Sequence, residues 1–341
     1  MTNKKKLIVV IGATGNQGGS VARRFLKDPS FTVRALTRNP SSPAAQALRS
    51  QGAEIVQADL DDVDSLKAAF QGANLIFSVT QYWEPFFRPD CRAKAAELGV
   101  SCRKYAYDVE YRQGKNIADA AAGVVNTLAE NGFLVSTLSH AEKATGGRMR
   151  EVYHFDAKAE VFPGYVEGVY PELAGRMSCV QTGYFMTSWR ILEGSYFNKQ
   201  PDGSFQMRFP VRKDRVVPHV DIVSDMGNFV YAVAQMPPGK AYMAAGSIVG
   251  FGEYIRLFGE HNKVPVSYKQ VTFDEMVEDT VGDVDTGIEV ANMYVYADEP
   301  GYDGGMDLLT AEDLRKAGIE CPMTTLEEWI KKQDWSAVLA K

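Results

Sequence analysis

Apolar and polar positions alternate in two rhythms along the first 140 residues. Leu7 to Ile11 is a continuous apolar run, the pattern of a strand buried on both faces of a parallel sheet. Ser20 to Lys27 carries helical spacing and stops at Asp28-Pro29; Thr32 to Thr37 is a second strand. Pro43 to Ser50 reads as a helix that Gly52 ends, and Glu54 to Ala58 as a third strand. Asp61 to Phe70 is a helix with acids in its first turn, followed by a fourth strand over Leu75 to Val79. The Ala-rich stretch Asn116 to Glu130 predicts a helix, and Phe133 to Leu138 a fifth strand. Regular β-α-β alternation predicts an α/β fold with a doubly wound parallel sheet.

After about residue 150 the rhythm loosens. Ser178 to Gln181 reads as a sixth strand and Tyr242 to Ala245 as a seventh. Ser204 to Val211 alternates and runs into Arg212-Lys213-Asp214-Arg215, which suggests a hairpin there. Asp225 to Met236 reads as a helix closed by Pro237-Pro238-Gly239, and Asp298 to Asp307 as a Gly-rich acidic loop. With no internal repeat and no low-complexity linker, the expected division is 1–175 for a nucleotide-binding domain. Residues 176–341 would complete the sheet and form a smaller α/β substrate-type domain.

Composition narrows the function. The 341 residues are 45% hydrophobic and 23% charged, enough for a large core without staples. A net charge of −6 argues against a protein that coats nucleic acid. Cys91, Cys102, Cys179 and Cys321 show no C-x-x-C spacing, and the histidines no H-E-x-x-H, so neither a disulfide framework nor a metal site is expected. The segment Met1 to Ile11 is too short in its apolar part for a signal peptide or membrane span, giving a soluble, cytoplasmic location with the nucleus as a second one.

The sharpest local signal is Gly12-Ala13-Thr14-Gly15-Asn16-Gln17-Gly18, a G-x-x-G-x-x-G turn between the first strand and the first helix. In this setting Gly12 permits the tight turn, Gly15 lets backbone approach a pyrophosphate and Gly18 lets helix and sheet close up, while the helix N-terminus faces the phosphates. The second strand ends Leu36-Thr37-Arg38-Asn39-Pro40 with no acid for a ribose 2′-hydroxyl. Arg38 there suits a 2′-phosphate, which favours NADP over NAD, although a solvated surface arginine has the same sequence. Asp59-Leu60, after the third strand, stands where adenine contacts occur; Asp59 equally suits a helix cap.

These residues resemble the opening of NmrA-like proteins, atypical relatives of the short-chain dehydrogenases. Val33 to Pro40, Gln51 to Glu54, Thr80 to Glu84, Gln113-Gly114-Lys115, His154 to Lys158, Pro218 and Val223 to Gly227 extend the resemblance along most of the chain. It implies an extended Rossmann fold that binds NADP(H), with Arg38 at the 2′-phosphate, Thr80, Gln81 and Tyr82 beside the cofactor, and Lys158 near the nicotinamide ribose. It also implies two kinds of member: reductases, and redox sensors that regulate a protein partner such as a transcription factor. The stretch Phe86 to Arg112, with Tyr105, Tyr107 and Tyr111, looks longer than in compact regulatory members; a lid over the cofactor and a surface elaboration both fit it.

Carbonyl reduction needs a proton donor. The Tyr-x-x-x-Lys pair of typical short-chain dehydrogenases is missing, because the residue four before Lys158 is His154. His154 and Lys158 share a helix face and form one candidate catalytic pair, alternatively a structural histidine beside a ribose-binding lysine. Ser139, close to Ser136 and His140 after the fifth strand, is a candidate carbonyl donor or a turn former; His219 and Asp221 lie on a segment that could line the cleft, where a structural role is the expected one. No G-x-S-x-G elbow supports a hydrolase. The expectation is an NADPH-dependent oxidoreductase for a small apolar molecule, with a non-catalytic NADP(H) sensor as the alternative.

Overall fold

The computed structural model describes residues 5–280 and 283–340; Met1 to Lys4, the start of the segment weighed above as a leader, lie outside the described residues. A seven-stranded parallel sheet organises the chain. Its strands are β1 (Lys6–Val10), β2 (Phe31–Thr37), β3 (Glu54–Gln57), β4 (Leu75–Ser78), β5 (Phe133–Thr137), β6 (Met177–Thr182) and the later strand Ala241–Ala244. The order is Ala241–Ala244, β6, β5, β4, β1, β2, β3. The chain winds outward in both directions from β1 and β4, so the crevice at their C-terminal ends is the topological switch point. Ile8, Val9 and Val10 are fully buried, as their unbroken apolar run requires.

Helices cover both faces. α1 (Asn16–Leu26), α2 (Pro43–Ser50) and α3 (Val63–Ala69) follow their strands within a few residues of the expected bounds. α1 packs on the helix Ile222–Val233, where Gly227 N–H donates to Ser20 Oγ at 2.9 Å. A Cβ on Gly227 would meet Ser20 O at 2.3 Å, so this helix crossing admits only glycine.

The stretch 86–112 is largely helical. It forms α4 (Trp83–Phe87), α5 (Pro89–Glu97) and the first half of α6 (Cys102–Ala122). α6 starts 14 residues before the expected Asn116, because Ser101 caps it through Lys104 N–H at 3.1 Å, and it stops at Gly123 rather than at Glu130. Much of the supposed insertion is therefore the crossover helix between β4 and β5.

The hairpin expected at Arg212 to Arg215 is also corrected. The strand Phe205–Phe209 pairs antiparallel with Asn198–Lys199 before it and parallel with Val266–Gln270 far beyond it. Its alternating Phe205, Met207 and Phe209 point into an aromatic core, which that pairing closes. Val217–Val220 joins a separate small sheet with Ser247–Val249 and Tyr184–Phe185. These small sheets and the helix Val284–Tyr296 pack around one aromatic-rich core. No helix among the described residues is long and apolar enough to cross a membrane.

Candidate functional site

The switch-point turn has the backbone that its glycines predict. Gly12 has φ +62°, a conformation rare for any residue with a Cβ. Gly15 N–H closes the turn on Gly12 O at 2.9 Å. A Cβ on Gly18 would lie 2.3 Å from Gly12 O and 2.5 Å from Ile11 O, so only glycine lets α1 start this close to β1. No side chain caps α1 and its first turn holds no acid. Thr14, Gly15 and Asn16 are exposed above it. The positive end of α1 thus faces the crevice with unpaired N–H groups, an anion cradle by construction. Gln17 reaches across the crevice, and Ser136 at the end of β5 donates to its Oε1 at 2.8 Å.

Arg38 follows β2 and is more than half exposed, with Nη1 3.0 Å from Glu84 Oε1. Glu84 in turn meets Arg88 at 3.5 Å. Arg38 is therefore held at the rim by a carboxylate that an incoming phosphate would have to displace. Asp59 does not cap α3; Asp62 does, while Asp59 Oδ1 accepts from Asp61 N–H at 3.0 Å in a local turn. Leu60, half-buried beside it, has its carbonyl bound by Asn116 Nδ2 of α6 at 2.8 Å. This ties the loop after β3 to the long helix.

At the centre of the crevice, the ammonium of Lys158 on α7 (Tyr153–Ala159) contacts Glu110 Oε1 of α6. The same nitrogen lies 3.4 Å from both the carbonyl and the hydroxyl oxygen of Thr80, which follows β4. Glu110 is wholly buried, and its second oxygen, Oε2, has no partner. Three elements thus converge on one lysine. Gln81, next along, is exposed.

The remaining candidates point elsewhere. Tyr82 is 1% exposed and its hydroxyl donates to Arg103 O at 3.0 Å, so it lines the interior under α6 rather than the crevice. His154 shares the helix of Lys158, but its ring lies against Tyr82 and Trp83. Its Nδ1 sits 2.5 Å from Glu289 Oε1, and its Nε2 3.3 Å from Met293 Sδ. Arg103 completes this group, with Nε 3.0 Å from Glu289 Oε2. Ser139 donates to Tyr302 O at 3.0 Å and stands 2.8 Å from Tyr296 Oη, so its hydroxyl anchors the Asp298 to Asp307 segment.

His140 joins Asp156 at 3.1 Å at the start of a short turn. His219 is buried with Nε2 3.2 Å from Val249 O, and burial pushes its pKa down to about 4. Asp221 caps Ile222–Val233. All four cysteines are buried and free, and burial pushes Cys102 and Cys179 up to about 12 and Cys321 to about 11. None has the lowered pKa of a reactive thiol.

Two groups escaped the sequence reading: Glu110 on Lys158, and the Arg103–Glu289–His154 cluster. The available signal was Arg103, Glu110 and Gln113 at positions i, i+7 and i+10 of one helix. That spacing turns charged groups toward the interior, once 102–122 is recognised as helical.

The chain matches the model of the NmrA-like family over residues 4–330. An NmrA-like family domain-containing oxidoreductase of Aspergillus campestris is 30% identical, covering 96% of each chain. A similarly named protein of Aspergillus hancockii is 42% identical over 42% of this chain and 37% of its own. Among solved structures, the negative transcriptional regulator NmrA in complex with NADP superposes with a TM-score of 0.69 at 20% identity, covering 96% of this chain and 95% of that one. An NADPH-dependent quinone oxidoreductase of Escherichia coli gives 0.63 at 20% identity, covering 95% and 98%. Strand order, glycine turn and near-full-length match together place this chain in the NmrA-like family.

Proposed function

We propose that this protein binds NADP(H) across the C-terminal ends of β1, β2 and β4 and uses it to reduce a small, mainly apolar molecule. The observation that carries this reading is the juxtaposition of the uncapped α1 turn, Arg38 at the rim and Lys158 in the middle of the same crevice. The residues present fit the nucleotide: Gly18 lets α1 start close against β1, and the first turn of α1 carries neither a side-chain cap nor an acid to compete with a phosphate. Family relatives named as oxidoreductases and the NADP-bound NmrA structure add support.

A bound nicotinamide would supply the hydride. The backbone of Gly12 to Gly18, with Thr14, Asn16 and Gln17, holds the pyrophosphate against the positive end of α1. Arg38 takes the 2′-phosphate, and Asp59 and Leu60 flank the adenine. Thr80 and Gln81 line the path toward Lys158. Lys158 binds the ribose and is the one candidate at the crevice centre with a proton to give, because His154 and Ser139 have committed theirs.

The deciding experiment is a screen of quinones and enones that follows NADPH absorbance, with Lys158→Met alongside. NADPH-dependent turnover that the substitution abolishes is expected; turnover untouched by it would remove Lys158 from the chemistry. A second reading, a non-catalytic NADP(H) sensor acting on a protein partner, is favoured by the same commitment of His154 and Ser139 to structural bonds. Tight NADPH binding with no turnover across the screen would select it.

A further inference from the structure

We infer that Gln181 is the hydrogen-bond donor that seats the substrate's carbonyl oxygen, and that the thioether of Met306 holds that oxygen's place until the substrate arrives. The inference rests on the nucleotide reading above and adds to it a substrate-contacting residue and a displaceable side chain.

Gln181 lies near the C-terminal end of β6 and is 2% exposed. A primary amide can donate twice and accept twice. Among the described residues this one makes a single hydrogen bond: Nε2 donates to Met306 Sδ at 3.2 Å, and Oε1 has no partner. A thioether is a weak acceptor, so a buried amide that ends on one leaves most of its hydrogen bonding unmade, which is costly. A carbonyl oxygen in the place of the sulfur would recover much of it. Because Oε1 makes no bond, nothing has to break for the amide to turn toward such an oxygen.

The cover over this donor is a side chain that can leave. Met306 is 46% exposed, and its unbranched chain adapts readily. It sits on the Gly-rich acidic segment, between two anchors. On one side Ser139 donates to Tyr302 O at 3.0 Å, and Gly304 packs so closely that a Cβ would meet Tyr296 Oη at 2.6 Å. On the other, Leu309 N–H donates to Ala241 O at 3.0 Å. Gly305, immediately before Met306, has φ +72° and open space where a Cβ would stand, so Met306 can swing outward while the anchors hold. The uncovered amide is on the lysine's side of the sheet. Gln181 pairs in register with Thr137 of β5, so both side chains leave the same face. Thr137 Oγ1 donates to Phe162 O at 2.8 Å, just past the end of α7, the helix that carries Lys158. Phe155 of that helix packs edge-on against Tyr302, with ring centroids 5.1 Å apart. Phe155, Tyr302 and Met243, the residue in register with Gln181 on the next strand, belong to one apolar core. A donor at the border of that core suits a small apolar ketone, enone or quinone.

The test uses the full chain loaded with NADP+, which has no hydride to give, so binding is read without turnover. Calorimetry compares 1-indanone, a small apolar ketone, with indane, the same skeleton without the oxygen. The unaltered protein should bind the ketone about tenfold more tightly, one well-made hydrogen bond's worth. Gln181→Leu should weaken the ketone to within about twofold of the hydrocarbon, with the affinities for NADP+ and indane unchanged. Met306→Ala truncates a half-exposed side chain, so it keeps the fold even if Gln181→Leu does not. It should raise the preference for ketone over hydrocarbon by about threefold, because the competing sulfur is gone. Equal affinity for the two probes in the unaltered protein, no binding of the ketone, a preference that survives Gln181→Leu, or one that Met306→Ala leaves unchanged would each overturn the inference while the nucleotide site stands. Failure of the unaltered protein to bind NADP+ would overturn the nucleotide reading, and this inference with it.

Discussion

The imidazole Nδ1 of His154 stands 2.5 Å from Oε1 of Glu289, a carboxylate with no solvent exposure, on the helix Val284–Tyr296. The same oxygen accepts the backbone N–H of His154 at 3.0 Å, and the other oxygen receives Arg103 Nε at 3.0 Å. One glutamate therefore joins α6, α7 and the C-terminal half. Glu289→Gln would leave the Arg103 guanidinium, 5% exposed, without its buried counter-charge. The expected cost is about 3 kcal/mol, read as a lower urea midpoint. NADPH affinity should hold in the folded fraction, since none of these groups faces the crevice.

Glycine positions in the turn should respond unequally. Gly18→Ala would place a methyl 2.3 Å from Gly12 O, a rigid backbone atom. We expect about 1–3 kcal/mol of destabilisation and loss of measurable NADPH binding. Gly19→Ala would meet chiefly the end of the Arg23 side chain at 3.0 Å and Ala13 O at 3.1 Å. The side chain can swing away, so its effect on both readouts should be clearly smaller.

Arg38 and Glu84 should set cofactor preference in opposite directions. Their exposed pair contributes little to stability, so neither substitution should move the unfolding midpoint. Arg38→Ala should erase most of the preference for NADPH over NADH in a binding titration. Glu84→Gln removes the carboxylate that competes with a 2′-phosphate and should tighten NADPH binding several-fold, without tightening NADH. An unaltered preference in Arg38→Ala would refute the 2′-phosphate assignment.

Two buried groups should shape the acid side of the stability curve with opposite signs. Burial lowers His219 from 6.5 to about 4. The unfolded chain then takes up a proton near pH 6.5 that the folded chain refuses until about pH 4, so His219 costs stability as pH falls through that window. The loss reaches about 3 kcal/mol.

Burial raises Asp225 from 3.8 to about 6, against the opposing pull of its bonds to Thr324 N–H at 2.7 Å and Oγ1 at 3.1 Å. Here the folded chain binds the proton first, so stability grows as pH falls from about 6 to 3.8, by a similar amount. Urea midpoints should show His219→Gln losing less stability than the unaltered chain on acidification toward about pH 4. Asp225→Asn should show a steeper acid loss than the unaltered chain.

Local sequence was sufficient wherever the deciding interactions are local. The apolar run of β1, the glycine spacing from Gly12 to Gly18 and the acid-free end of β2 specify a Rossmann-type half-site, because strand burial, positive φ and helix start are each encoded within a few residues. The family resemblance extended that reading, and the full-length match agrees with it.

Tertiary structure decided the rest, because the groups concerned meet across large sequence separations. Lys158 meets Glu110 across 48 positions and His154 meets Glu289 across 135. The i, i+4 spacing of His154 and Lys158 predicted a shared site, yet their side chains serve different partners. A helix face has room for two directions, and a buried carboxylate captured each cation or ring. The tyrosine-bearing stretch before Gln113 showed no helix signal strong enough to outweigh its charges. Only packing against α7, which supplies Lys158 to Glu110, and against the helix Val284–Tyr296, which supplies Glu289 to Arg103, makes those positions a buried helical face.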